Sequence, residues 1–139
     1  MIFVNLPVAD VARATGFYTA LGFERDPRFS GDHASAMQWS DAIVVMLLQR
    51  DVFATFTPKR IADPAQEVGA LLSLSLDSRD AVDGIAAAAL AAGGSEVHAA
   101  EDMGYMYSRA FADPDGHGWG VLHMDVAAML AAQAGEATA

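Results

Sequence analysis

Apolar and polar residues in the first fifty positions follow two different periods. The segment "IFVNLPV" alternates weakly and predicts a strand. A helix is expected next, because Asp10 can cap it and Val11, Ala14 and Tyr18 follow at helical spacing until Gly22. The segments "FERDPRF", "HASAMQWS" and "AIVVMLLQ" then predict three strands, separated by turn-forming residues. The first half of the chain therefore has the predicted order β-α-β-β-β.

The second half of the chain repeats this order. "ALLSLSL" predicts a strand, an Asp-Ser pair can cap a helix that ends at a Gly-Gly pair, and "SEVHAA", "YMYSRAFAD" and "GWGVLHM" predict three more strands. Aligning Leu6 with Leu74 gives an offset of 68 residues. Aligning Gly22 with Gly93 gives 71, which predicts that the second helix is about one turn longer.

The two modules are joined by a polar segment with two prolines, which indicates a linker or lid with one helical turn. The last residues are predicted to begin as a short helix and to end as loosely held small residues. We therefore expect one domain over residues 1–139. It is divided into a first βαβββ module (1–49), a linker (50–67), a second module (68–125) and a C-terminal tail (126–139).

Composition narrows the class of protein. The 139 residues, 53% of them hydrophobic, suffice to bury a core. A formal charge of −10 with eight Lys and Arg residues disfavours nucleic acid and anionic membranes as partners. The N-terminus lacks a basic signal region and no apolar run of about eighteen residues occurs, so we expect a cytoplasmic protein without membrane spans. The absence of cysteine excludes disulfides and thiolate chemistry.

The acidic residues are unevenly distributed. Residues 1–50 contain five acids and four bases, whereas residues 51–139 contain thirteen acids and four bases, a net charge of −9. We interpret this excess as solvated acidic surface. A cationic ligand would be attracted to the second half, whereas an anionic ligand would be opposed by it.

Two longer phrases, "LPVADVARATGFYTALGF" and "FADPDGHGWGVLHM", occur with the paired βαβββ order. Together these features resemble the vicinal oxygen chelate superfamily, which includes glyoxalases, extradiol dioxygenases and bleomycin-resistance proteins. The resemblance covers about residues 1–125. It implies an α+β fold in which paired βαβββ modules curl a mixed sheet into a cup, and it implies a homodimer. In that superfamily the cup holds a divalent metal or an organic ligand.

The resemblance also implies where metal ligands would lie, on the first and last strand of each module. In this chain those positions are Phe3, Met46, Leu71 and Gly120. None can hold a hard or borderline cation. A shift of two residues keeps the same strand face but brings in only the neutral oxygens of Asn5 and Ser73. We therefore expect neither a metal nor another cofactor.

Several other residues have the chemistry of a site. The histidines have no metal-ligand spacing and are interpreted as loop and surface residues, and the Asp-Pro-Asp-Gly segment is interpreted as a turn. Arg109 lies at strand spacing with Tyr105, Tyr107 and Phe111. We expect it to form an ion pair, for instance with Asp102 or with an acid across the sheet, or to contact an anionic ligand.

The resulting functional hypothesis is a small-molecule binding protein of the glyoxalase/bleomycin-resistance type, which sequesters a toxic or antibiotic compound in an apolar pocket. The predicted ligand-binding residues are Asn5, Met46, Leu48, Ser73, Tyr105, Tyr107, Arg109 and Trp119. Three alternatives remain: a metal-dependent lyase or dioxygenase that uses a shifted site, a cofactor-free isomerase that uses a tyrosine or histidine, and a purely structural or regulatory dimer.

Overall fold

Two four-stranded mixed sheets form the protein, each built from one half of the chain. They are seen in a computed structural model that describes residues 1–138, with side chains through Glu136. This architecture confirms the predicted α+β fold of paired βαβββ modules. No helix within residues 1–138 is both long enough and apolar enough to cross a membrane.

The first sheet has the strand order β1-β4-β3-β2. β1 and β4 are parallel, and the other neighbours are antiparallel. The elements are β1 (Ile2–Val8), α1 (Val11–Ala20), β2 (Glu24–Asp26), β3 (Ala34–Gln38) and β4 (Ile43–Gln49). The strand predicted at 23–29 is shorter than expected, because Pro27 lacks an N–H group and begins a single 3-10 turn, Pro27–Phe29.

A short helix, α2 (Arg50–Ala54), opens the linker and precedes the second sheet, whose strand order is β5-β8-β7-β6. Its elements are β5 (Leu72–Ser75), α3 (Arg79–Ala91), β6 (Ser95–Asp102), β7 (Met106–Ala112) and β8 (Gly118–Met124). α3 has 13 residues against 10 in α1, which confirms the predicted extra turn.

The C-terminal tail begins as the predicted helix, and this helix is longer than expected. It forms one helix, α4 (Val126–Thr138). The Asp125 carboxylate accepts the Ala128 N–H at 2.9 Å and so caps the helix. The residues that follow are mostly alanine, leucine, methionine and glutamine, which have high helix propensity and outweigh the absence of buried contacts.

One hydrophobic core joins the two modules. Phe17 and Tyr18 of α1 lie in it together with Phe111 of β7 and Trp119 of β8. The Tyr18 and Trp119 rings meet edge to face, with centroids 5.8 Å apart. Because both modules contribute aromatic rings to the same cluster, neither module buries its helix-facing side alone.

A buried carboxylate crosses the boundary between the modules. Asp113 follows β7 and is only 3% exposed. Its Oδ2 accepts the Tyr18 hydroxyl at 2.6 Å, and the Trp119 indole N–H donates to the Tyr18 oxygen at 2.9 Å. Burial, followed by the charge of Asp113, raises the pKa of the Tyr18 phenol far above its ordinary value. Tyr18 therefore stays protonated and keeps donating to the carboxylate.

The other carboxylate oxygen of Asp113 shapes the following turn, which is the Asp-Pro-Asp-Gly turn expected from the sequence. Asp113 Oδ1 accepts three backbone N–H groups, from Asp115 and Gly116 at 3.0 Å and from His117 at 2.9 Å. Asp115 Oδ1 in turn accepts the Ala9 N–H at 2.9 Å. The turn of the second module is thus bound to the start of α1 in the first.

Glycine is required at one point of this turn. Gly116 has φ +107°, and a Cβ added there would lie 2.6 Å from the Pro64 carbonyl oxygen of the linker. A side chain at this position would be strained by its own backbone and would collide with another backbone segment. The linker therefore packs directly on the turn.

We expect Asp113→Ala to lower the free energy of unfolding by roughly 3 kcal/mol or more, because it leaves a buried hydroxyl and three N–H groups without their acceptor. Urea denaturation measures this change. Asp32→Ala, at an exposed carboxylate in a loop, is the matched control and should change stability by about 0.5 kcal/mol or less. Equal effects of the two substitutions would contradict the role assigned to Asp113.

We expect Gly116→Ala to destabilise the protein by about 2 kcal/mol or more, because it combines a left-handed backbone with contact against Pro64. The measurement is the shift in thermal midpoint. Gly31→Ala is the control, since a Cβ added at Gly31 has no neighbour within 4 Å. A Gly116→Ala protein as stable as the control would show that the linker does not pack on the turn.

Candidate functional site

A cavity of about 500 Å³ lies where the linker crosses the junction of the two modules. Its walls come from β1, from α2 and the linker, from residues 68–71 and the start of β5, from Val97 of β6 and Ala112 of β7, and from the turn before β8. This volume falls within the range of about 300–1,000 Å³ that is typical of small-molecule sites.

Most of the lining is apolar. Phe53, Ile61, Leu71 and Val97 contribute side chains from four different segments. The polar and charged lining residues are Asn5, Thr57, Lys59, Arg60, Glu67 and His117. An apolar chamber with a few polar groups can bind an organic molecule and orient it.

Hydrogen bonds hold the linker in place over the cavity. Arg50 donates to the Ile61 carbonyl at 3.1 Å, and the Thr57 hydroxyl accepts the Lys59 N–H at 3.1 Å. The Leu71 side chain packs against Gly118, which has no side chain to obstruct it. A Cβ added at Gly118 would lie only 2.8 Å from Leu71 Cδ2. The wall is thus built by specific contacts.

Sequence reasoning missed most of the cavity lining, including Phe53, Lys59, Arg60 and, most unexpectedly, His117. His117 was expected in a surface turn, but the structure half-buries it in the cavity wall, with Nε2 2.7 Å from the Pro7 carbonyl oxygen. Because a carbonyl only accepts, Nε2 carries the hydrogen, and Nδ1 of the neutral ring is an acceptor. No local signal reveals this, since the contact joins positions 110 residues apart.

The other three histidines lie apart from one another. His33 contacts Gln49 at 2.6 Å, His98 contacts the Ala99 carbonyl at 2.9 Å, and His123 contacts the Leu76 carbonyl at 2.9 Å. Over residues 1–138, no three His, Asp or Glu side chains come together as a metal site requires.

The four positions that correspond to the metal ligands of the superfamily have no side chain with an oxygen or nitrogen ligand. They are Phe3, Met46, Leu71 and Gly120. Phe3 and Leu71 are 58% and 74% exposed. Asn5 lies opposite Met46 and Ser73 lies opposite Gly120 in the strand registers, on the sheet faces that α1 and α3 do not cover. Two neutral side-chain oxygens on separate modules do not fit a divalent catalytic ion, which needs about three imidazole or carboxylate ligands.

Arg109 and Tyr107 point to the opposite sheet face, toward α3. The Tyr107 hydroxyl donates to Asp83 at 2.5 Å, and Arg109 lies 3.3 Å from the same carboxylate. The Tyr107 hydrogen bond, and then Arg109, hold the pKa of Asp83 below its usual range, while that bond raises the pKa of Tyr107. Tyr107 is therefore a poorer acid than a free phenol.

The expected ion pair of Arg109 thus exists, but its partner is Asp83. Asp102 pairs with Arg79 at 2.6 Å, and this guanidinium lowers the pKa of Asp102 to about 2. The reason is geometric: α3 lies across the face of β7 that carries Arg109, and Asp83 is on that helix.

Of the eight predicted ligand-binding residues, the structure brings only Asn5 into the cavity lining. Trp119 is 4% exposed and belongs to the core, as its hydrogen bond to Tyr18 requires. Tyr105 lines a separate cavity of about 340 Å³ near the start of α3. The remaining residues, which lie on strands outside the cavity lining, are Met46, Leu48, Ser73, Tyr107 and Arg109.

Comparison with known proteins agrees with this architecture. The "Bleomycin resistance protein-like N-terminal" family model matches residues 1–31. No curated protein is significantly similar in sequence.

Several solved structures share the fold. A hypothetical protein from S. aureus is 25% identical, with 88% of this chain and 92% of that chain covered and a TM-score of 0.77. A glyoxalase/bleomycin resistance protein/dioxygenase family enzyme from Burkholderia phytofirmans is 19% identical, with coverage of 88% and 96% and a TM-score of 0.72. A fosfomycin resistance protein from Mesorhizobium loti is 15% identical, with coverage of 94% and 96% and a TM-score of 0.68.

The N-terminal family match and the fold shared over most of the chain point to the same relationship. The resemblance of this protein to the vicinal oxygen chelate superfamily of glyoxalases, bleomycin-resistance proteins and dioxygenases is thereby confirmed.

Proposed function

We propose that the protein binds a small organic molecule in the cavity between its modules and sequesters it without a metal. The observation that carries this proposal is the cavity of about 500 Å³ with its largely apolar lining. The residues at the superfamily's metal positions, Phe3, Met46, Leu71 and Gly120, support it further, because none of their side chains offers an oxygen or nitrogen ligand to an ion. The bound molecule would be a toxic or antibiotic compound.

The proposal includes a homodimer in the cytoplasm. Phe3, Leu71 and Val97 are each more than half exposed on the single chain. A second copy would cover such apolar surface, which monomeric proteins seldom leave open in large patches.

The competing function is a metal-dependent lyase or dioxygenase of the same fold. It gains support from the Burkholderia phytofirmans relative, which is described as an enzyme. Asn5 and Ser73 would then have to serve a shifted site. Metal content separates the two functions, because a metal-dependent enzyme must bind its ion.

We expect at least one compound in a panel of planar aromatic antibiotics, glutathione adducts and catechols to bind the protein. Binding would raise the thermal midpoint of unfolding. Asn5→Ala should weaken binding of that compound by roughly three- to tenfold, the value of one hydrogen bond, with little loss of stability because Asn5 is exposed. Isothermal titration measures the affinity. Ser75→Ala, exposed on β5 outside the cavity, is the control and should leave binding unchanged.

We expect zinc, manganese, nickel and ferrous ions to leave the thermal midpoint within about 1 °C of the metal-free value, because no set of ligands among the described side chains fits them. Elemental analysis of the purified protein should find metal at far below one ion per chain. A nearly stoichiometric ion that is lost in Asn5→Ala would overturn the binding-protein proposal in favour of the enzyme.

A further inference from the structure

The basic residues divide into two groups by their partners. The chain has eight Lys and Arg residues against eighteen Asp and Glu residues, so each base has many acids available. Four arginines form ion pairs with carboxylates and a fifth donates to a backbone carbonyl. These five are Arg13, Arg28, Arg79, Arg109 and Arg50.

The other three bases, Arg25, Lys59 and Arg60, have no side-chain partner in the part of the chain that the structure describes. Lys59 and Arg60 are adjacent in sequence, and both line the cavity. Two neighbouring cations repel each other. The chain has ten more acids than bases, yet these two cations lie together at the cavity without a partner. A bound anion would relieve their repulsion.

The charges of the residues that line the cavity do not cancel. Glu67 is the one acid in the lining, and its Oε1 already accepts the Asp63 N–H at 3.2 Å. His117 adds no negative charge, and its Nε2 is engaged with Pro7. Two cations therefore face one carboxylate, so the lining is formally positive although the chain as a whole is at −10.

The positive end of the cavity is held in position. The Thr57 hydroxyl accepts the Lys59 N–H, and Arg50 fixes the Ile61 carbonyl just beyond Arg60. Because the backbone on both sides is tied down, a ligand that binds there has to order only the two side chains and not the backbone that carries them. At physiological salt, charges farther than about 8 Å are largely screened, so the charged side chains of the lining act most directly on a bound group.

We propose that the ligand of this cavity is an amphipathic organic anion. Lys59 and Arg60 would neutralise its carboxylate or phosphate group, and its apolar body would lie against Phe53, Ile61 and Leu71. The inference rests on the proposed function, since it names the class of molecule that the same cavity takes. It decides between the cationic and anionic ligands that the sequence left open.

The test uses probes that share one apolar chain and differ in the head group: decanoate, decyl phosphate, decanol and decyltrimethylammonium, each below its micelle concentration. Binding to the full chain is measured by displacement of the uncharged dye N-phenylnaphthylamine. We expect at least one of the two anions to bind about tenfold more tightly than decanol, as two ion pairs of ordinary strength would produce, and the cation to bind most weakly. Comparison of the two anions distinguishes a carboxylate from a phosphate ligand.

The double variant Lys59→Gln/Arg60→Gln should lose the preference for anions and keep the decanol affinity, because both side chains are exposed and have no structural partner. Arg25→Gln, which removes the other unpaired base outside the cavity, is the matched control and should keep the preference. Equal binding of anion and alcohol, or a preference that survives the double variant, would overturn this inference alone. Failure of the dye and all four probes to bind would overturn the proposed function as well.

Discussion

The buried carboxylate of Asp113 is the interaction on which the arrangement of the two modules depends. It accepts the Tyr18 hydroxyl from the first module with one oxygen and three backbone N–H groups of its own turn with the other. A carboxylate in such a dry environment is tolerable only when its lone pairs are satisfied in this way. The turn and α1 are therefore fixed relative to each other, and the shared aromatic core forms around that contact.

The position of the cavity follows from this contact. The turn that Asp113 organises carries Gly116, against which the linker packs, and His117, which reaches the Pro7 carbonyl of β1. The linker consequently crosses the junction of the modules at close range, and the space beneath it is lined by residues from both halves. The site is thus a product of module packing, and neither module contains it alone.

Charge is distributed differently at the cavity and over the whole chain. The net charge of −10 describes a solvated surface, whereas the cavity lining combines Lys59 and Arg60 with a single acid. Overall charge acts over longer distances and is screened by salt, while a bound group responds to the side chains within a few ångströms. The charge balance of the acidic second half therefore says little about the ligand.

The sequence by itself determined the order of the elements and the ends of α1 and α3, because helix periodicity, caps and glycine turns are local: Asp10 and Ser78 cap these two helices, and Gly22 and Gly93 end them with positive φ. Only the tertiary structure decided which strand face each site residue occupies. Strand alternation separates two faces of a strand but does not say which face a helix will cover. Arg109 therefore pairs with Asp83 of α3, whereas Asn5 and His117 line the cavity. Contacts between residues far apart in the chain decide which face is covered, and no short sequence pattern reveals such contacts.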